Sequence, residues 1–507
     1  MSDVIVIGAG VNGLAAAVEL ARSGQKVLVL EARETVGGLS GRRAFGEGFS
    51  VPGIRHDTSE IRPALIDALA LSAHGLSLRT EAVPVLASEA EGAGLVLHAS
   101  PERAREEIAR RSKKDADAYA ALRGLLARIR PVLEPLVAKS APPLLPRGLG
   151  ETFEMGLMGL KLRGLGREDM IELLRVAPMC VADWMREMFE TELLSAALSL
   201  PAVLGDFAGP WSPGTAALLI LRESLFVPGV VGGPAAVVEA LSKALAAAGG
   251  QVRTGARVAK IKVEAGRARG VVLSSGEELT AAAIVAACTP QHTLLDLLPP
   301  MTLSVRDQGA ARTIRARGTA AKIHLGLNQY PSWRGRSDER FEAVRIGEHL
   351  DDLERSFDAA KFRRLPSQPA LDVWLPSIKA GERPVMSVLV LGAPYHLGAG
   401  WTADSKAALV EMVLAELERH APGVRSLVVA REVLSPLDLE REYGATGGCI
   451  HHVERGLDQL VLLRPARPFA RGTTPVEGLF LGSSGCHPGP GVTLAPGVLA
   501  ARAFLGA

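Results

Sequence analysis

Three features of the 507-residue sequence predict an α/β fold, with a Rossmann-like nucleotide-binding domain and an α+β domain interleaved with it. The chain opens with an apolar run, a glycine-rich turn, an Ala/Leu-rich helical pattern and a second apolar run that ends on an acid. A helix-and-strand block at residues 226–298 and a glycine-rich block after residue 441 return to the same domain. Hydrophobic residues make up 48% of the chain, enough for large cores.

The first 31 residues have the order strand, turn, helix, strand, acid. Residues 4–7 lead into the motif GAGVNG at 8–13, and residues 27–30 end at Glu31, 18 residues after Gly13. The three glycines allow a tight turn, a close approach of backbone to a pyrophosphate, and close helix–strand packing. The helix N-terminus favours phosphate, and an acid roughly 20 residues further on accepts a ribose hydroxyl. The residues predicted to contact a dinucleotide are Gly8, Gly10, Val11, Asn12, Gly13 and Glu31.

Composition excludes several other classes of protein. The chain has 57 basic and 55 acidic residues, so a net charge of +2 gives no sign of nucleic-acid binding. Its four cysteines are far apart, which argues against a disulfide framework, a dithiol redox centre and a zinc site, and we predict no metal. No second GxGxxG motif is present, so we expect no separate NAD(P) domain.

The sequence also bears on localisation. The first strand begins at residue 4, which leaves no room for a signal peptide, and no apolar run reaches about 18 residues. We therefore expect a cytoplasmic protein without a transmembrane helix. The mean hydropathy of +0.19 is compatible with peripheral contact with a membrane.

The residues after Glu31 carry a resemblance to a known family. They read EARETVGGLSGR at 31–42, and the last block reads GLFLGSSGCHPGPGV at 478–492. Both segments resemble the glutathione-reductase-like flavoproteins of the amine oxidase and phytoene desaturase branch. The resemblance implies FAD as the cofactor, with the glycine pair Gly37-Gly38 near its pyrophosphate, the Gly482-Ser483 backbone at its phosphates and an arginine along it. The further cofactor contacts that it implies are Ala32, Arg33, Gly37, Gly38, Leu39, Ser40, His56, Val258, Gly482, Ser483, Gly491 and Val492.

Two candidate catalytic residues follow from the same resemblance. Residues 320–327 form a predicted strand that carries Lys322 and His324 on one face. In the amine oxidase branch a lysine from this part of the fold contacts a water near flavin N5, which makes Lys322 a candidate. His487 lies in the closing motif, beside the expected flavin edge. Pro490 and Pro496 depart from the usual pattern there.

The order of the motifs predicts five segments in two domains. Residues 1–80, 226–298 and 441–507 are assigned to the FAD-binding domain. Residues 81–225 and 299–440 are assigned to the substrate domain.

The resemblance implies an FAD-dependent oxidoreductase of the phytoene desaturase type. It would transfer hydride from an apolar, isoprenoid or carotenoid-like substrate to flavin N5, and then pass electrons to oxygen or a quinone. Three alternatives stay open at this point. They are an FAD-dependent amine oxidase, which 4% aromatic residues disfavour, a redox-neutral polyene isomerase, and a non-enzymatic escort or GDP-dissociation-inhibitor-like binder of prenylated proteins.

Overall fold

The computed structural model describes residues 2–142, 148–377 and 382–506. Within these ranges the strands are β1 Ser2–Ile7, β2 Val27–Leu30, β3 Arg43–Phe45, β4 Phe49–Val51, β5 Val85–Ser88, β6 Leu95–Leu97, β7 Gln251–Arg253, β8 Val258–Glu264, β9 Arg267–Leu273, β10 Glu278–Ala286, β11 Ala320–Leu327, β12 Ala343–Ile346, β13 Leu371–Trp374, β14 Val385–Leu391, β15 Val428–Leu434 and β16 Leu479–Leu481. The helices are α1 Val11–Arg22, α2 Pro63–Ala68, α3 Pro101–Ala109, α4 Lys113–Ala138, α5 Leu149–Arg163, α6 Arg167–Val176, α7 Val181–Met188, α8 Glu192–Val203, α9 Thr215–Ser224, α10 Gly233–Ala247, α11 Val305–Arg312, α12 Leu350–Lys361, α13 Ala403–His420, α14 Val424–Leu427, α15 Pro436–Tyr443 and α16 Ala495–Leu505.

The first sheet has a parallel centre, in the order β7-β2-β1-β10-β16, and an antiparallel extension through β9 and β8. Val4 of β1 lies between Val27 of β2 and Ala283 of β10. Helices α1, α10 and α16 cover one face of this centre, and a second apolar cluster covers the other. Burial on both faces explains why the central strands are continuous apolar runs.

The second sheet has the order β15-β11-β14-β13-β12-β5-β6 and is antiparallel except where β12 meets β5. Alternate residues of β11 point to opposite faces. Ala321, Ile323 and Leu325 enter the cluster that also contains residues of α13. Lys322 and His324 therefore lie on the opposite face, and both are fully buried.

The two sheets take their strands from different parts of the chain. The first sheet uses residues 2–30, 251–286 and 479–481, and the second uses residues 85–97 and 320–434. The α/β fold class, with a Rossmann-like domain interleaved with an α+β domain, is thus confirmed. No helix in the described ranges is both long and apolar enough to cross a membrane.

Candidate active site

A cleft of about 1150 Å³ opens at the carboxyl ends of β1, β2 and β10. Ligands of open α/β sheets bind at this edge of the strands. All but three of the residues predicted to contact the cofactor line the cleft. The three exceptions are His56, Gly482 and Ser483.

The turn after β1 has the geometry that a dinucleotide requires. A Cβ atom on Gly13 would lie 1.9 Å from the carbonyl oxygen of Gly8, so only glycine allows this helix–turn contact. At Gly10 a Cβ atom would meet nothing within 4 Å, because this backbone borders the open cleft. Helix α1 begins at the next residue, and the free N–H groups of its first turn favour phosphate there.

Glu31 is held at the end of β2 by the backbone. Its Oε2 accepts a hydrogen bond from the Ala9 N–H at 2.7 Å, and its Oε1 accepts one from the Arg33 N–H at 2.9 Å. The side chain is buried and lines the cleft. A carboxylate oxygen has a second lone pair, so this fixed carboxylate retains acceptor capacity for a ribose hydroxyl.

The glycine pair Gly37-Gly38 packs against the turn that follows β1. The Gly37 N–H donates to the Ala9 carbonyl at 2.7 Å, and Gly37 forms a backbone bridge with Gly10. Gly37 has a φ of +105°, and a Cβ atom there would lie 2.6 Å from the Gly41 Cα. Gly37 and Gly38 therefore bring the loop after β2 to the wall of the same cleft.

Two buried polar atoms in the cleft test whether FAD fits. Asn12 Oδ1 and His452 Nδ1 have no hydrogen-bond partner within the described part of the chain, although buried polar atoms are normally paired. Both residues line the cleft. Burial lowers the pKa of His452 to about 4, so the ring is neutral at pH 7. A polar dinucleotide has hydroxyl and N–H groups that can donate to Asn12 Oδ1 and polar atoms that can pair with His452 Nδ1, so these residues fit FAD.

Several cleft residues were missed by the sequence reasoning, among them Arg55, Tyr443, His452 and Ser484. Tyr443 places its ring under the Arg33 guanidinium, 4.3 Å from the ring centroid. His452 has a φ of +65°, which is uncommon for a residue other than glycine and recurs at functional sites. The adjacent histidines at 451 and 452 were the available signal in the sequence.

The prediction that Gly482 and Ser483 contact the cofactor is corrected: the residue of this loop that lines the cleft is the next one, Ser484. Gly482 packs against β10 and α16, where an added Cβ would lie 3.1 Å from the Ala500 Cβ. Ser483 is fully buried, and its hydroxyl accepts a hydrogen bond from the Gly485 N–H at 3.1 Å. Ser484 lines the cleft instead, and its Oγ accepts a hydrogen bond from Asn12 Nδ2 at 2.9 Å.

The prediction that His56 contacts the cofactor is also corrected, because hydrogen bonds turn its ring toward the second sheet. Lys322 Nζ lies 2.9 Å from His56 Nδ1, and His56 Nε2 lies 2.9 Å from Asp372 Oδ2. The ring stacks on Trp374 with a centroid separation of 5.8 Å. His56, Asp372 and Trp374 line a lateral cavity of about 640 Å³, whereas Arg55, one residue earlier, lines the cleft.

The protonation states of Lys322, His56 and Asp372 depend on their burial and on their contacts with one another. Burial lowers the pKa of Lys322 to about 7 and also lowers the pKa of His56. Burial alone would raise the pKa of Asp372, but the hydrogen bond from His56 and the nearby positive charges of Arg345 and Arg222 together outweigh it, and the pKa is lowered. At pH 7 an ionised Asp372 therefore accepts from a neutral His56, whose Nδ1 accepts from Lys322. We call Lys322, His56 and Asp372 the buried triad.

His487 lies outside the cleft, contrary to its proposed place at the flavin edge. Its two ring nitrogens are each 2.8 Å from a backbone carbonyl oxygen, one of Val461 and one of Lys139. Both polar atoms of the ring are thus engaged by the backbone. The side chain therefore links the closing block to the residue that follows α4, and its role in this structure is structural.

The fold and the cleft define a dinucleotide-binding protein, and comparisons with known proteins make the class specific. The model for FAD dependent oxidoreductases matches residues 3–150, and the model for flavin containing amine oxidoreductases matches residues 97–502. The chain therefore belongs to the flavin-containing amine oxidoreductase family, and it is an FAD-dependent enzyme.

Individual relatives agree with this assignment. The Mus musculus pyridine nucleotide-disulfide oxidoreductase domain-containing protein 2 is 30% identical, with 99% of this chain and 92% of that protein covered. The lycopene-forming phytoene desaturase of Pantoea ananas is 27% identical over 98% of this chain and 97% of its own. A triple mutant of putrescine oxidase superposes with a TM-score of 0.63 at 16% identity, covering 100% and 98% of the two chains. The predicted relationship to phytoene desaturases is thereby confirmed.

Replacing Glu31 by glutamine is expected to weaken FAD binding roughly ten- to a hundredfold. A hydrogen bond to a charged group contributes about 1.5–3 kcal/mol. Ala9 and Arg33 donate to different oxygens of Glu31, so in glutamine the NH2 group would face one of these N–H donors instead of accepting from it. Titration of the apoprotein with FAD, followed by flavin fluorescence, measures the change. Glu34→Gln is the control, because Glu34 is exposed and lies outside the cleft. An unchanged Kd in Glu31→Gln would contradict the assigned role.

Proposed function

We propose that this FAD-dependent oxidoreductase dehydrogenates an apolar, isoprenoid or carotenoid-like substrate and forms a carbon–carbon double bond. The observation that carries the proposal is a cavity of about 520 Å³, which we call the side chamber. Most of its wall is aliphatic. The aliphatic side chains are Val137, Leu218, Leu221, Leu225, Leu460, Val461, Pro488 and Pro490.

The side chamber lies directly beside the cofactor cleft. Gly491 and Val492 line the cleft, whereas Pro490 and Thr493 line the chamber. A single loop of the closing block therefore separates the two spaces. A substrate bound in the chamber would be next to the end of the cleft that this loop borders.

FAD, when bound, supplies the acceptor for hydride. The chain's own contribution is to position a C–H bond and to exclude water, since an apolar substrate has no group for strong acid–base catalysis. Correct positioning of reacting groups can account for several kcal/mol of a barrier, on the order of 7 kcal/mol or more in favourable cases. The aliphatic wall of the side chamber suits both tasks.

Formation of a double bond also releases a proton, and we propose that the buried triad takes it up. Its three residues line neither the cleft nor the side chamber, so the proton must be relayed to them from the cleft wall, where Arg55 lies one residue before His56. With a pKa of about 7, Lys322 exists partly as the neutral amine near neutral pH. It donates a hydrogen bond to His56 through one N–H and retains a lone pair that can accept the proton. The Lys322 N–H can then pass a proton to His56 Nδ1 while His56 Nε2 passes one to Asp372.

Electrons then leave to a diffusible acceptor, which we propose is oxygen or a quinone. The four cysteines are unpaired in the structure, and three of them are buried. Burial raises the pKa of Cys288 to about 11 and that of Cys449 to about 12, so these thiols are poorly suited to exchange. This supports an acceptor other than a protein dithiol.

An amine oxidase is the second candidate function, favoured by the family match and the fold of putrescine oxidase. Recognition of an amine commonly uses aromatic faces. The residues described in the wall of the side chamber include no aromatic side chain, and Tyr443 is the one aromatic residue described in the cleft. This composition favours an apolar substrate over an amine.

Anaerobic reduction of the holoprotein distinguishes these functions. We expect phytoene to bleach the visible absorption of the bound flavin and putrescine to leave it unchanged. Bleaching by putrescine alone would establish the amine oxidase instead. Conversion of a cis polyene to its trans form by the pre-reduced protein, with no bleaching of the oxidised protein, would establish the isomerase. A protein that binds no FAD even in excess would be an escort-like binder.

A further inference from the structure

The side chamber has a polar region as well as an aliphatic wall. Three arginines and one acid line it, together with Thr493. Two of the arginines have a local counter-ion. Arg222 Nη1 lies 2.5 Å from Asp57 Oδ2, and Arg455 Nε lies 2.6 Å from Asp206 Oδ2.

Arg62 differs from the other two arginines. Within the described ranges it forms no ion pair, and its Nη1 donates a hydrogen bond to the Leu225 carbonyl at 3.4 Å. The charges of Glu60 and Glu134 act on it at longer range. Its Nε is buried and has no hydrogen-bond partner. Glu60 also lines the chamber, but its Oε2 lies 3.6 Å from Arg55 Nη2. A partly buried guanidinium without a paired anion is energetically unfavourable.

Two further unpartnered atoms lie in the same wall. Among the described residues, Arg222 Nε and Thr493 Oγ1 are buried and have no hydrogen-bond partner, like Arg62 Nε. Arg222 Nε lies 3.7 Å from Glu223 Oε1, beyond hydrogen-bond distance. All three atoms can donate a hydrogen bond. These three donors belong to residues that line one cavity, and such donors provide the chemistry that recognises an anionic oxygen group. Arginine binds both carboxylate and phosphate well.

We infer that the side chamber binds the anionic end of an amphipathic substrate, with its carboxylate or phosphate on Arg62, Arg222 and Thr493 and its apolar chain against the aliphatic wall. This inference rests on the proposed function for the identity of the chamber as the substrate site. It narrows the substrate class from a plain hydrocarbon to an apolar chain that carries one anionic oxygen group.

Binding to the FAD-loaded protein tests the inference without catalysis. The probes are decanoate, decyl phosphate and decanol, which share an apolar chain and differ in the head group. Affinity is measured by calorimetry, and the flavin difference spectrum reports whether the probe lies beside the cleft. We expect at least one of the two anions to bind roughly tenfold or more tightly than decanol, in line with the strength of hydrogen bonds to charged groups.

Variants of Arg62 locate the effect. Arg62→Gln is expected to weaken binding of the preferred anion by roughly ten- to a hundredfold and to leave decanol unchanged, whereas Arg62→Lys should restore part of the affinity. Arg306→Gln is the matched control, because Arg306 is an exposed arginine on α11 outside the chamber. Retention of bound FAD and an unchanged circular dichroism spectrum verify that the variants fold.

The outcomes separate this inference from the proposed function. A preference for decanoate identifies a carboxylate substrate, and a preference for decyl phosphate identifies a phosphate ester. Equal binding of the anions and decanol, or anion binding that Arg62→Gln does not alter, would overturn the inference even if phytoene bleaches the flavin. Anion binding that depends on Arg62 would support it even if dehydrogenation of phytoene fails.

Discussion

Lys322→Met slows reduction of the flavin by an apolar substrate by about two to four orders of magnitude, if Lys322 is the proton acceptor. Methionine keeps the length and apolar stem of lysine but has no basic nitrogen. FAD affinity should be retained, because Lys322 does not line the cleft. Stopped-flow absorption under anaerobic conditions measures the rate.

The pH dependence gives this prediction a second readout. Only the neutral amine accepts a proton, so the rate should rise with pH up to about 7 and then level off. The groups that act on Lys322 are His56 and Arg55 from the segment before α2, Asp372 from β13, and His324 from its own strand. The negative charge of Asp372 raises the pKa of Lys322. Asp372→Asn should therefore shift the midpoint of the profile to lower pH.

A control variant tests whether the effect is specific to Lys322 or follows from the loss of any lysine. Lys262→Met removes a lysine of β8 that forms an ion pair with Glu278 away from the triad. Its rate and pH profile should match those of the unaltered protein. A Lys322→Met protein that reduces its flavin at the original rate, with the same midpoint, would eliminate Lys322 as the proton acceptor.

Asp206→Ala is expected to lower the free energy of unfolding by about 3–5 kcal/mol, because it leaves a buried arginine unpaired. Asp206 accepts hydrogen bonds from the Arg455 backbone N–H at 3.0 Å and from Arg455 Nε at 2.6 Å. The two side chains are only 3% and 7% exposed. The pair joins the segment after α8 to the loop that follows α15, so its loss affects the contact between substrate-domain helices and the closing block.

Urea unfolding of the FAD-loaded protein measures this effect. The exposed pair between Arg105 and Asp117 provides the control, since its side chains are 58% and 68% exposed. Asp117→Ala should cost less than about 1 kcal/mol. In Asp206→Ala, a second change of Arg455→Met should restore part of the stability, because it removes the unpaired charge. An equal loss of unfolding free energy in Asp206→Ala and Asp117→Ala would refute the prediction that the buried pair contributes more to stability than the exposed pair.

Local patterns were sufficient to predict much of the cofactor site. The motif at 8–13, the acid at 31 and the glycines at 37 and 38 lie within one β–α–β unit and the loop after it. Their geometry depends on neighbours close in sequence, such as the contact between Gly13 and the carbonyl of Gly8. Short-range sterics and hydrogen bonds therefore determine this part of the cleft, and spacing in the sequence reveals it.

The closing block was harder to place, because its motif gives the segment but not which residues face the cleft. Gly482 and Ser483 follow β16 and are packed in the core, and Ser484 is the first residue of the loop to reach the cleft. His487 is similarly directed by two backbone carbonyls, one of them on the residue that follows α4. Such orientations depend on packing against distant elements.

The sequence by itself determined the fold class, the FAD-binding unit and the family. Only the tertiary structure decided which polar groups act together. Lys322 and His56 are 266 residues apart, and His56 and Asp372 are 316 apart. Arg62 and Thr493 likewise meet in the side chamber from opposite ends of the chain. A dinucleotide motif is local, because one turn of backbone surrounds the phosphates, whereas the buried triad and the side chamber form only when segments distant in the chain pack together.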